Sequence, residues 1–169
     1  MEFENRPLTQ AERTQTSTRD KLLLAAGALV VLGAVFSPSR RKKIFVSYDY
    51  DNDRHYRYLL SAWDANRTFA FSFDDHSTPL INSTNGARIR AAITRRLQAA
   101  DYLLVIVGQR THRSKWVAWE ITKAKELGLR LIAVKVNSSY TSPPGLLSAG
   151  AIWARSFSAD GVARAVAQA

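Results

Sequence analysis

From residue 44 onward, short uninterrupted apolar runs alternate with stretches in which apolar residues recur every three or four positions. IFVSY (44–48) is brief, uncharged and rich in β-branched and aromatic side chains, the pattern of a buried strand. Asp51, Asn52 and Asp53 are candidate caps for a helix whose Tyr56, Leu59, Leu60 and Trp63 fall at i, i+3, i+4 and i+7. FAFSF (69–73) predicts a second strand, followed by a polar loop with Pro79 that runs from Asp74 to Thr84. Asn85 predicts the cap of the next helix, with Ile89, Ile93, Leu97 and Ala100 as its apolar stripe. YLLVIVG (102–108) is the most apolar run and predicts the central strand. A helix from Lys115 to Leu127 is stopped by Gly128, and RLIAVKV (130–136) predicts a fourth strand. In NSSYTSPPG (137–145) the Pro-Pro-Gly predicts a loop without regular structure. AIW (151–153) predicts a short edge strand, and Ser158 the cap of a last helix.

Repeated strand–helix–strand units require right-handed crossovers. They predict an α/β domain at 44–169 built on a mainly parallel sheet of four to five strands with helices on both faces. Ligands of such sheets bind beyond the carboxyl ends of the strands. That edge gathers Tyr48 and Asp49, Asp74 and Asp75, the segment 109–115, and the segment 137–140.

The front of the chain follows another pattern. Residues 1–20 are polar and lack apolar periodicity, which predicts a disordered tail. Leu22 to Phe36 is an unbroken apolar run, followed by Ser37, Pro38 and the basic cluster Arg40, Arg41, Lys42 and Lys43. As a helix the run rises roughly 22 Å, against a hydrocarbon layer of about 30 Å. Snorkelling of Lys21 and Arg40 narrows the difference. The reading is a single transmembrane helix at 21–38 and a basic linker at 39–43, with a signal peptide or a buried helix as alternatives. A span would leave the basic cluster, and the domain after it, in the cytoplasm.

The net charge is +10, which suits anionic partners. Arg88, Arg90, Arg95 and Arg96 share a helix whose other face is Ile and Leu, the pattern of a solvated face, so nucleic acid is not an expected partner. Absence of cysteine removes disulfides, thiolate metal sites and cysteine nucleophiles. His55, His76 and His112 stand apart, and no metal site is expected. Neither GxGxxG nor a P-loop occurs. A phospho-acceptor aspartate at the end of the third strand is ruled out by Gly108 and Gln109.

One pair stands out. Trp116 and Glu120 lie four apart on the helix after the central strand, where Val117, Ile121 and Ala124 define the buried stripe. Glu120 falls roughly 60° from Val117, at the margin of that stripe. Spacing alone favours a surface pair of Glu120 with Lys123 and a Trp116 packed in the core.

KIFVSYDYDNDRHYRYLLSAWD, FAFSF, INSTNGARIRAAI, LLVIVGQRTHRSKWVAWEITKAKELG and LIAVKVN together resemble the TIR-like domains of the ThsB type from bacterial Thoeris anti-phage defence. SKWVAWE carries the resemblance to the Trp-x-x-x-Glu of NAD-cleaving TIR domains. The resemblance implies a flavodoxin-like TIR fold and an enzyme that splits nicotinamide from NAD, with NAD a substrate and no cofactor needed. It implies Glu120 as the catalytic carboxylate. Ser47, Tyr48, Asp49, Asp75 and Trp116 would bind substrate, and the loop from Asp74 to Thr84 would gate the site. Homo-oligomers, a nucleotide signal and a downstream effector are implied with it. The alternatives are a non-catalytic interaction module, for which an exposed Trp119 would supply a contact, and a nucleoside N-glycosidase.

Overall fold

Parallel strands carry the domain. The computed structural model describes residues 40–66, 69–74 and 85–169, so the segments 1–20 and 21–38 and Asp75 lie outside the described residues. Among the described residues no helix is long and apolar enough to cross a membrane. Arg41–Ala169 forms one unit.

Five strands, β1 (Lys42–Ser47), β2 (Phe71–Phe73), β3 (Tyr102–Val107), β4 (Arg130–Lys135) and β5 (Ile152–Ala154), form one sheet in the order β2-β1-β3-β4-β5. Every pairing is parallel. The helices are α1 (Tyr50–Ala65), α2 (Gly86–Gln98), α3 (Lys115–Glu126), α4 (Pro144–Leu147) and α5 (Ala159–Gln168), with a 3-10 turn at Thr111–Arg113.

Strand alternation splits the core into two layers. Ile44, Val46, Leu104, Ile106, Ile132 and Val134 face α1 and α5, whose Leu60, Val162 and Val166 cover them. Phe45, Leu103, Val105, Val107, Leu131 and Ala133 face α2, α3 and α4, through Leu97, Val117, Ile121 and Leu146. β3 is buried at every position because it is covered on both faces and flanked on both edges.

Asn85 accepts from the amides of Ala87 and Arg88, Ser114 from Val117, and Ser158 from Gly161, which satisfies otherwise orphaned donors. Gly128 stops α3 with φ +73°, a conformation that costs glycine little.

Several local expectations are corrected. β1 takes in Lys42 and Lys43, placed in a linker by composition, because Lys42 pairs with Phe71 and Lys43 with Ser72. β2 is shorter than FAFSF: Phe69 is buried, but its carbonyl accepts from Arg41 instead of a ladder partner. α1 starts at Tyr50, ahead of the three candidate caps, with Asp49 at the cap position. Leu59, assigned to the apolar stripe, is 45% exposed, whereas Asp53 and Arg57 are buried. Pro144 opens a helical turn where a loop was expected, since proline at the first helical position loses no hydrogen bond.

Candidate active site

The strand order reverses direction between β1 and β3, and that crevice is where this topology leaves room for a ligand. β1 ends there in Ser47, which pairs in register with Val105. Ser47 follows Phe45 onto the face covered by α3. In the second turn of that helix Glu120 points back at it. The Ser47 hydroxyl donates to Glu120 Oε2 at 2.5 Å.

Glu120 is only 9% exposed, so the marginal position read from the helical wheel is in fact an inward one. The surface pairing with Lys123 does not form, because Lys123 bonds Glu126. Burial pushes the Glu120 carboxyl up from 4.5 to about 7, against the Ser47 hydrogen bond and the field of Arg96, which both favour the charged form. The acid therefore sits near its midpoint at neutral pH.

That shift has a consequence for stability. The folded protein holds this proton above the pH at which the unfolded chain releases it, so stability falls as pH climbs from 4.5 to about 7. Glu120→Gln removes the titration. It is expected to be more stable than the parent above pH 7, by up to about 3 kcal/mol, and no more stable at pH 4. Urea melts at the two pH values check this.

A cleft of about 610 Å³ opens in front of the carboxyl, lined by Phe45, Tyr48, Asp49, Tyr58, Trp116 and Glu120 among others. Its walls come from α1 on one side of the sheet and from α2 and α3 on the other. Tyr48, Asp49 and Trp116 thus join Glu120 at one cavity, whereas Ser47, 1% exposed, stands behind Glu120 and is not a wall residue. Trp116 is 42% exposed and meets Trp119 edge-on at 6.0 Å, with the Arg90 guanidinium 5.9 Å from each ring. Trp119, expected on the exposed side, is half-buried by this cluster.

Three polar groups in or behind the site were not read as such from sequence: Arg57 was not singled out, Asp53 was expected to cap α1, and Arg96, expected on a solvated face, turns instead to the cleft and Asp74. Arg57 is 3% exposed, donates to the Asp74 carbonyl at 2.7 Å and lies 5.8 Å from the Phe73 ring centre. Burial lowers its pKa. Arg96 pairs with Asp74 at 2.6 Å and, like Arg57, lines the cleft. Asp53 is buried, which raises its pKa, and accepts from the Thr111 hydroxyl at 2.8 Å. Thr111 in turn accepts from the Gly108 amide at 2.8 Å. This knot ties α1 to the turn that leads into α3 and so fixes where Glu120 begins. Its partners lie 58 residues apart in sequence, beyond the reach of periodicity.

A second cleft, about 690 Å³, follows the edge of β2 past Arg41, Lys43 and Asp64. It shares Arg57 and Arg96 with the first but not Glu120. Among the described residues no group of three His, Cys, Asp or Glu side chains is placed to hold a metal ion.

The family model for the TIR-like domain of Thoeris protein ThsB matches residues 45–141. Among solved structures, the chain is similar to the Clostridium botulinum CMP N-glycosidase BcmB, with a TM-score of 0.53 and 11% identity over 75% of this chain and 98% of that one. It is similar also to the TIR domains of the activated Roq1 resistosome, at TM-score 0.42 and 16% identity, over 56% of this chain and 57% of that chain. A 2-deoxyribosyltransferase from Bacillus psychrosaccharolyticus gives a TM-score of 0.44 and 14% identity, over 59% of this chain and 77% of that one. These identities speak to fold alone. No curated protein matches the sequence.

Proposed function

The chain belongs to the family of Thoeris ThsB TIR-like domains, and from that premise we propose that it cleaves the bond between nicotinamide and ribose in NAD. The observation that supports this most is the Glu120 carboxyl, buried at the β1/β3 crevice, held by Ser47 and facing a cleft.

In NAD the nicotinamide is already a cation. It departs as a neutral base with the electron pair of the broken C–N bond, so no proton need be donated to it. The barrier lies in the positive charge left on the ribose carbon. A fixed carboxylate beneath that carbon stabilises the oxocarbenium-like transition state where little water competes. Water then attacks the carbon and loses a proton, giving ADP-ribose, or a hydroxyl of the same molecule attacks and closes a cyclic isomer. Asp49, at the cleft wall, would accept from ribose hydroxyls alongside its hydrogen bond from Asn52. Arg57, buried and bonded to the Asp74 carbonyl, and Arg96, paired with Asp74, would favour a phosphate-bearing substrate through their field rather than by direct contact.

On the same reading, neighbouring copies assemble through their TIR-like domains and the product activates a separate effector; the apolar run 22–36 with its basic flank, and not the family, carries the separate proposal that the domain is held on the cytoplasmic side of a membrane.

The test is nicotinamide release by the full chain, with CMP and unmodified nucleosides run beside NAD. Release from NAD supports the proposal. Base release from the others but not from NAD points to an N-glycosidase, and inertness toward all of them to an interaction module.

The pH profile adds a sharper expectation. kcat/KM should fall about tenfold per pH unit below about 7 as Glu120 takes up its proton. Ser47→Ala removes a hydrogen bond that favours the charged carboxyl, so the falling limb should move to higher pH, by roughly one unit. An unmoved limb would count against Ser47 as the residue that tunes the acid.

A further inference from the structure

The large apolar or aromatic side chains left exposed among the described residues are Tyr50, Tyr58, Leu59, Trp116 and Leu147. Single exposed rings scattered over a surface call for no explanation. Here three of the five, Tyr50, Tyr58 and Trp116, converge on the cleft that holds Glu120. We infer that Tyr58 forms a stacking subsite for the second base of a dinucleotide, the base remote from the bond that breaks. The inference rests on the glycosidic cleavage proposed above and assigns a residue to substrate choice.

The three rings differ in what already holds them. Trp116 stands one helical turn before Glu120 and is braced by Trp119 and Arg90, which confines it to the neighbourhood of the reacting sugar. Tyr50 lies 6.3 Å from the Tyr48 ring and 5.9 Å from the Arg54 guanidinium. Tyr58, at 67%, is the most exposed of the three, and among the described residues no ring or guanidinium is stacked on it. It also comes from α1, across the sheet from the helix that carries the acid. A ligand touching both Glu120 and Tyr58 must cross the cleft, past Arg57, which is buried, and Arg96, which is paired with Asp74; their field, rather than a direct contact, favours the phosphates that link two nucleosides. A volume of about 610 Å³ lies well inside the range of small-molecule sites.

ADP-ribose has the remote base but no scissile bond, so its binding reports the subsite whether or not the enzyme turns over. Calorimetric titration of the full chain would compare ADP-ribose with nicotinamide mononucleotide, which lacks the remote base. Tyr58→Ala is expected to weaken ADP-ribose about tenfold or more, Tyr58→Phe to restore it, and neither to change the mononucleotide. Failure of the parent chain to bind ADP-ribose, no effect of Tyr58→Ala, or equal weakening of both ligands would overturn the subsite. A Tyr58-dependent affinity for ADP-ribose without nicotinamide release from NAD would keep the subsite and remove the cleavage reading instead.

Discussion

Glutamine at position 120 is expected to lower nicotinamide release from NAD by about a thousandfold or more, chiefly in kcat. The exchange keeps the shape of the side chain and leaves an oxygen for the Ser47 hydroxyl, so it removes charge with little else. If the carboxylate stabilises a cation formed only in the transition state, substrate affinity should hardly change. The variant should also be the more stable protein above pH 7, because it no longer buries a group that ionises there. An inactive but stabilised variant separates lost chemistry from lost structure. Loss of activity together with a lower melting temperature at pH 8 would mean that Glu120 supports the fold.

Gly108→Ala is expected to cost about 3 kcal/mol of stability. A Cβ at this position would stand 2.0 Å from Asp53 Oδ1 and 2.4 Å from Asp53 Oδ2 and Cγ, far inside contact distance. Asp53 has little room to retreat, since it is 3% exposed and held by Thr111. The clash falls where α1 is tied to the turn before α3, so activity should fall with stability. The midpoint of urea unfolding measures the loss. Asp53→Ser added to Gly108→Ala should recover part of it; strictly additive effects would show that the two positions do not compete for the same space.

Much of the architecture was legible because it rests on local pattern. β3 announces itself in YLLVIV, and Asn85 and Ser158 are caps that the chain uses. The parallel order follows from alternation of elements. Harder to read were positions where a distant partner decides. Arg57 and Asp53 lie inside α1 because Asp74 and Thr111 receive them, and Leu59 is correspondingly displaced outward. A hydrophobic stripe has no means of placing a charged residue in the core. Glu120 was located on its helix by spacing, but its depth depends on Ser47 reaching it from a strand 73 residues earlier. Trp119 became half-buried only because Arg90 and Trp116 close over it.

Whether Glu120 titrates inside the cleft is open to direct observation. The side-chain carboxyl carbon of residue 120 can be followed by NMR across pH 4 to 9, in the same preparation whose kcat/KM for nicotinamide release is recorded. One midpoint near 7 shared by both curves is the expected result. A carboxyl that loses its proton near 4.5, or a rate that ignores its titration, would contradict the claim that a buried, half-ionised acid does the work.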